Sequence, residues 1–253
     1  MSNLSLLYYY MIQEKFKDQE SKPILQSQLL KGEAGIDHYC SMRAFDNPGA
    51  GVWMPKQVHG VNIVVVDEQT AYDESVELQP VEADAVITQQ KGRWIGVRTA
   101  DCVPVLLYDP KTSTVAAIHA GWRGTVQHIV RQTVEKMQAE LGVCPECLLA
   151  MIGPSICAES FEVGEEVAAE FVSAGRGDCV LRSTFGAHGN MVPYLKPHVD
   201  LWQSNAMDLM EAGVPLEQID CTPLCTYQND DVLFSARRQG IATGRIVTAI
   251  CLK

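Results

Sequence analysis

Short apolar runs separated by Gly, Pro and polar clusters recur through the middle of the chain, at Val61 to Val66, Ala83 to Thr88, Trp94 to Thr99, Val103 to Tyr108 and Thr114 to His119. Runs of this length, rich in β-branched residues and bounded by turn formers, predict strands. The period then changes. From Thr125, the residues Val126, Ile129, Val130, Thr133, Val134, Met137 and Leu141 fall on one helical stripe, and Gly142 stands where a left-handed cap belongs. A shorter helix is predicted over Glu165 to Val172. A third runs over His198 to Ala212, with Val199, Trp202, Ala206, Leu209 and Met210 inward and Gly213 beyond its end. Leu148 to Ile152 and Arg245 to Cys251 read as further strands. Strands in consecutive runs with helices mostly later predict an α/β (α+β) fold, a single layered domain with a mixed β-sheet and flanking helices.

Lys15 to Ala34 is polar and aperiodic, so residues 1–34 are expected to form a loosely ordered N-terminal segment, with regular structure beginning near Ile36. Residues 35–253 are then expected to form a single domain. A chain of 253 residues, 47% of them hydrophobic, can bury one substantial core without a second domain. The net charge of -11 argues against a nucleic-acid partner. It leaves room for a small anion held by local Arg and backbone N–H groups. The apolar stretch from Leu4 lacks the preceding basic residues of a signal peptide, and no run reaches the roughly 18 apolar residues of a membrane span. Nine cysteines, odd in number and scattered from Cys40 to Cys251, predict reduced thiols and a cytoplasmic setting. Nothing in the chain calls for an obligate protein partner.

Reactive residues concentrate beside glycine in three segments: Gln57-Val58-His59-Gly60, Thr99-Ala100-Asp101-Cys102-Val103-Pro104, and His119-Ala120-Gly121-Trp122-Arg123-Gly124-Thr125. Each lies at a predicted strand edge, where a rigid scaffold presents side chains from a turning backbone. Asp109 to Ser113 has the composition of a hairpin turn, which brings Cys102 and His119 to the same end. In the simplest register, Tyr108 opposite Thr114, these two point to opposite faces, so a one-residue slip or bulge is required. Pro104 makes such an irregularity plausible.

One Cys and two His are a donor set that zinc accepts, and three protein ligands leave a fourth position for water or substrate. Copper accepts the same donors. The alternative is that Cys102 is a buried apolar thiol and that the histidines are satisfied core residues. Arg123, with the start of a helix at Thr125, has the donors to hold a phosphate; alternatively Thr125 is an ordinary cap and Arg123 an ion-pair partner. Cys144-Pro145-Glu146-Cys147 has redox or metal spacing, and Cys221 and Cys225 would be needed to complete a four-thiol site. Cys157 follows a strand-to-helix turn and either approaches a substrate or packs. His128 and His188 have no evident partner.

Taken in order, these motifs resemble the laccase-domain purine nucleoside phosphorylase family, earlier labelled multicopper polyphenol oxidases. The resemblance includes Ile152-Gly153-Pro154-Ser155-Ile156 with Phe161-Glu162-Val163-Gly164, and Phe234-Ser235-Ala236-Arg237-Arg238 through Thr243-Gly244-Arg245, and spans roughly residues 50 to 250. It implies His59, Cys102 and His119 as catalytic metal ligands, zinc as the metal, and phosphorolysis of adenosine, inosine, guanosine or methylthioadenosine with adenosine deamination as a companion. Purine nucleosides and phosphate are the implied partners. The family's Ser-Thr-Arg segment and glycine-rich loop are replaced by Cys40-Ser41-Met42-Arg43 leading directly to Ala44-Phe45-Asp46-Asn47-Pro48-Gly49, so Arg43 is the position left to keep the substrate-binding Arg role. Competing readings are a copper oxidase of phenols, for which six histidines are a poor supply, a Cys102/His119 amidohydrolase acting on a cell-wall precursor, and a non-enzymatic metal-binding module.

Overall fold

The computed structural model describes residues 24–67, 81–185 and 191–253. In chain order the elements begin with β1 (Ile24–Leu25), α1 (Gln28–Lys31), β2 (Ile36–Ser41), β3 (Val52–Trp53), β4 (Ile63–Val66), β5 (Ala85–Thr88), β6 (Trp94–Thr99), β7 (Val103–Asp109) and β8 (Thr114–Ala120). They continue with α2 (Trp122–Val126), α3 (Ile129–Leu141), β9 (Leu149–Ile152), α4 (Glu165–Ser173), β10 (Val180–Phe185) and β11 (Met191–Val199). The last are α5 (Leu201–Glu211), β12 (Ile219–Cys221), α6 (Ala236–Gln239) and β13 (Ile246–Leu252).

Three layers result. A six-stranded mixed sheet runs β12-β9-β7-β8-β5-β4, a five-stranded sheet runs β1-β2-β13-β6-β3, and β10 and β11 pair separately. Alternation along the central strands divides the core. Val103, Val105, Leu107, Ala116 and Ile118 face the helices, with Ile129, Val130, Val134 and Met137 of α3 packed against them. Leu106, Tyr108, Val115 and Ala117 face the second sheet, against Ile95, Val97, Ile246 and Ile250. Being covered on both faces, β7 and β8 bury every residue, which is why their sequences read as continuous apolar runs.

The expected mixed sheet, flanking helices and layered single fold are what the structure has. Three local expectations are corrected. Ile24 and Leu25 pair with Ser41 and Cys40, and Leu25 and Leu30 are buried. Regular structure thus begins before Ile36, while residues 1–23 lie outside the described residues. Thr125 does not open a helix: α2 starts at Trp122 on Gly121, breaks at His128, and α3 begins at Ile129. Gly142 does close α3 in the left-handed conformation, φ 68°, with its N–H donated to Met137 O. Finally, His198 and Val199 end β11, and α5 starts at Leu201 because Asp200 caps it by accepting from Gln203 N. Met210 is exposed rather than inward.

Candidate metal centre

The β7–β8 hairpin supplies the required slip. Asp109 pairs with Thr114, Tyr108 with Val115, Pro104 with His119 and Val103 with Ala120. The slip originates in the turn, where the Asp109 carboxylate accepts from Lys111 N at 3.0 Å and Thr112 Oγ1 at 2.8 Å. Asp109 is thereby drawn into the ladder. With Pro104 opposite His119, Cys102 and His119 share a face by alternation, the one turned toward the second sheet. On the other side of β8, Ala85 pairs with Ile118, which sets Asp84 opposite His119.

Asp84 is the organising residue, and the sequence reading missed it. It is fully buried, and its Oδ1 meets His119 Nδ1 at 2.8 Å. The same carboxylate accepts from three successive main-chain amides, His59 N at 2.9 Å, Gly60 N at 2.7 Å and Val58 N at 3.3 Å. One carboxylate therefore orients His119 by its ring and His59 by its backbone. His59 needs that hold because it adopts φ 60°, a left-handed conformation that costs a non-glycine residue energy. Burial by itself would raise the Asp84 carboxyl; the hydrogen bonds from His119, Gly60 and Val58 outweigh it and keep the group below the usual carboxylate range. The available signal was a carboxylate inside an otherwise apolar strand run, which only a buried partner could justify.

With Nδ1 committed to Asp84, His119 turns Nε2 toward Cys102 and His59. The ligand atoms of His59, Cys102 and His119 lie within 4.8 Å of one another, and among the described residues this is the one group of three or more donors placed to hold a metal ion. His119 is buried, Cys102 half-buried and His59 exposed, so the trio opens toward solvent on the His59 side. The two imidazoles meet edge to face, centroids 4.9 Å apart. A tetrahedral ion with bonds of about 2.0–2.3 Å would need donors about 3.3–3.8 Å apart, a closure within reach of small side-chain rotations. Gly121 leaves the space: a Cβ there would lie 3.2 Å from His59 Cδ2, 3.3 Å from Cys102 Sγ and 3.6 Å from His119 Cε1. Soft thiolate, two imidazoles and a side-chain-free cradle fit one metal ion with an open position.

Without metal the trio holds an ion pair. Burial opposes the Cys102 thiolate, yet hydrogen bonds from His119 and His59 bring its pKa down to about 6. Burial likewise opposes charge on His119, and Asp84 and Cys102 together raise it to about 9.

Asp101, next to Cys102, is a second residue the sequence left without a role. It sits at φ 91°, and its carboxylate accepts from Thr226 Oγ1 and from Arg237 N, both at 2.6 Å. Its carbonyl accepts from Ile156 N. Segments around Ile156, Thr226 and Arg237 thus converge on the residue next to Cys102.

The other nominated residues are placed as follows. Arg123 is exposed on α2 with its guanidinium 4.4 Å above the Trp122 ring. Thr125 is buried, donates N to Gly121 O, and accepts from Asn205 Nδ2. Arg43 spends Nη2 on the carbonyls of Asp230 and Leu233, each at 2.9 Å, and lies over Phe234. His128 has partners after all, Asp208 and Arg176. Cys144 donates to Glu146 at the surface, whereas Cys225 lies beside Cys157, so the four-thiol grouping is not assembled. His188 lies outside the described residues.

Against known families, the model described as multi-copper polyphenol oxidoreductase laccase matches residues 39–253. The chain belongs to that family. It is 41% identical over 204 residues, 79% of this chain and 72% of the relative, to a purine nucleoside phosphorylase of Bacteroides thetaiotaomicron. It is also 41% identical over 204 residues, 79% of this chain and 74% of the relative, to adenosine deaminase RL5 from an unknown prokaryotic organism. The fold is shared with YlmD from Geobacillus stearothermophilus at TM-score 0.78 and 22% identity, covering 93% of this chain and 98% of that one. No helix among the described residues is long and apolar enough to cross a membrane.

Proposed function

We propose that this protein is a cytoplasmic, zinc-dependent purine nucleoside phosphorylase that takes adenosine, inosine, guanosine or methylthioadenosine and also deaminates adenosine. The observation that carries the reading is the Asp84-ordered trio of His59, Cys102 and His119 in a chain 41% identical to a purine nucleoside phosphorylase and to an adenosine deaminase. A zinc ion held by these three residues would supply a Lewis acid able to polarise a substrate atom or a water. Asp84 keeps the proton on His119 Nδ1 and so leaves Nε2 free as a donor. Arg123, exposed two residues beyond Gly121, is the side chain available to neutralise phosphate at the solvent-facing side. The helix start contributes less than the sequence suggested, because α2 has five residues and a correspondingly small dipole. Arg43 acts through the 230–233 segment that it holds.

Product analysis tests the assignment. Incubation of each nucleoside with and without phosphate should yield free base plus the sugar 1-phosphate (ribose 1-phosphate, or 5-methylthioribose 1-phosphate from methylthioadenosine) only when phosphate is present. Base release that ignores phosphate, or no release from any purine nucleoside, would refute it.

A second reading has its own observation. Asp84, His119 and Cys102 lie in a line of carboxylate, imidazole and thiol, the arrangement of a cysteine hydrolase. Metal-free protein that retains full activity and is trapped covalently at Cys102 would favour it. The copper oxidase reading has the family's description in its support, but a three-ligand cluster matches one ion rather than several coppers.

A further inference from the structure

Behind the ligand cysteine, Cys157 and Cys225 lie side by side. The Cys157 amide donates to Cys225 Sγ at 3.3 Å. Both sulfurs share one hydroxyl, Ser160 Oγ, at 3.4 Å from Cys157 and 3.7 Å from Cys225. A parallel bridge between Ser155 and Cys225 holds the Cys225 backbone against the segment that carries Cys157 two residues on. The pair also has an address. Ile156 and Thr226, the immediate neighbours of these cysteines, are the residues that grip Asp101. All nine cysteines are unbridged.

We propose that Cys157 and Cys225 are an oxidation site of this protein, at which hydrogen peroxide closes a reversible disulfide joining the two segments that hold Asp101. Cys225 is the attacking sulfur: the neighbouring Cys157 thiol and the Cys157 amide, which donates to it, outweigh burial and hold its pKa below the ordinary thiol value, whereas the same neighbour raises Cys157. The Cys225 thiolate attacks one peroxide oxygen, the O–O bond breaks, and the departing hydroxide takes up a proton to leave as water. The Cys157 sulfur then attacks the sulfenic acid, losing its proton as the S–O bond breaks and a second water leaves. In sum, two thiols and one hydrogen peroxide give one disulfide and two waters; both sulfurs are oxidised and the peroxide is reduced.

The proposal does not depend on the nucleoside reading, because its test uses no substrate. The full-length protein is treated with graded hydrogen peroxide, quenched with N-ethylmaleimide before unfolding, and mapped by mass spectrometry with and without reduction. The expected result is a Cys157–Cys225 cross-linked peptide that dithiothreitol reverses, formed at doses that leave Cys40 and Cys251 alkylatable. In Cys157→Ser the cross-link disappears and Cys225 goes on to sulfinic acid. A wild-type protein in which both residues are still alkylated after Cys144 and Cys147 have oxidised would overturn the proposal, as would Cys225 linked to any other cysteine.

Discussion

Two histidine–aspartate pairs with the same Nδ1–Oδ1 distance have different surroundings in this molecule. His119 Nδ1 meets Asp84 Oδ1 at 2.8 Å, and His128 Nδ1 meets Asp208 Oδ1 at 2.8 Å, both carboxylates fully buried. The difference lies in what completes each one. Asp208 is charge-balanced by Arg176, whose Nη2 lies 2.5 Å from Oδ1 and 2.7 Å from Glu211, so the imidazole faces a guanidinium and, among the described residues, joins no group of donors placed to hold a metal ion. Asp84 is completed by uncharged main-chain amides, and its histidine looks outward at a thiol and a second imidazole. A histidine–aspartate pair is thus only an orienting device; a guanidinium neighbour makes it a joint of the fold, while donor neighbours make it part of a candidate metal site.

The largest expected effect comes from removing the donor that the structural pair lacks. Cys102→Ala should lose the metal and lower turnover by at least about three orders of magnitude, since several kcal/mol of Lewis-acid stabilisation disappear. Metal analysis beside single-turnover assays checks both. The aspartates come next. Asp84→Asn should cost up to about 100-fold in metal affinity and activity with the fold intact. Asp208→Ala should instead lower stability by about 3 kcal/mol, as expected when a buried ion pair is broken, with metal content unchanged. Chelator competition and denaturant melts on the two variants would erase the contrast if both gave the same signature.

Arg123 belongs to neither pair and is exposed, so solvent limits its contribution. Arg123→Ala should weaken phosphorolysis relative to adenosine deamination by about 1.5 kcal/mol, the lower end for a charged hydrogen bond, and Arg123→Lys by less. Equal loss in both reactions would give Arg123 a structural role. The smallest effect is on proton linkage. Below its ordinary pKa of 6.5 the His119 charge adds stability to the metal-free site, and that contribution is lost as pH rises through about 9. The Cys102 thiolate contributes above its ordinary 9.0, and that contribution is lost as pH falls through about 6. The metal-free ion pair is therefore intact between about 6 and 9. Zinc needs neutral His119, so binding at pH 7.5 should release about one proton, and affinity should rise about tenfold per pH unit across that window. Calorimetry in buffers of different ionisation heat measures the proton count; zero protons would contradict the linkage.

Much of this was legible in the sequence wherever the determinants are local. The apolar runs of β6, β7 and β8 and the Gly142 cap lie where periodicity and turn chemistry put them, and the hairpin register required a one-residue slip that Asp109 provides. What escaped depends on distant partners. The break between α2 and α3 is set by His128 at φ 61° bonded to Asp208, 80 residues away, so a stripe read from Thr125 could not reveal it. Asp84 was hidden because an acid in a strand run has no meaning until His119 is opposite. The contacts of Arg43 with the carbonyls of Asp230 and Leu233 could not be read from the sequence, because nearly 190 residues separate the partners.

Of the two pairs, His119–Asp84 is the one proposed to serve a zinc ion and His128–Asp208 is not. Metal content measured on protein purified without chelator, for wild type, His119→Ala and His128→Ala side by side, tests it most directly. The account predicts about one zinc per chain in wild type and His128→Ala and none in His119→Ala. Zinc retained in folded His119→Ala, or lost equally from both variants, would contradict it.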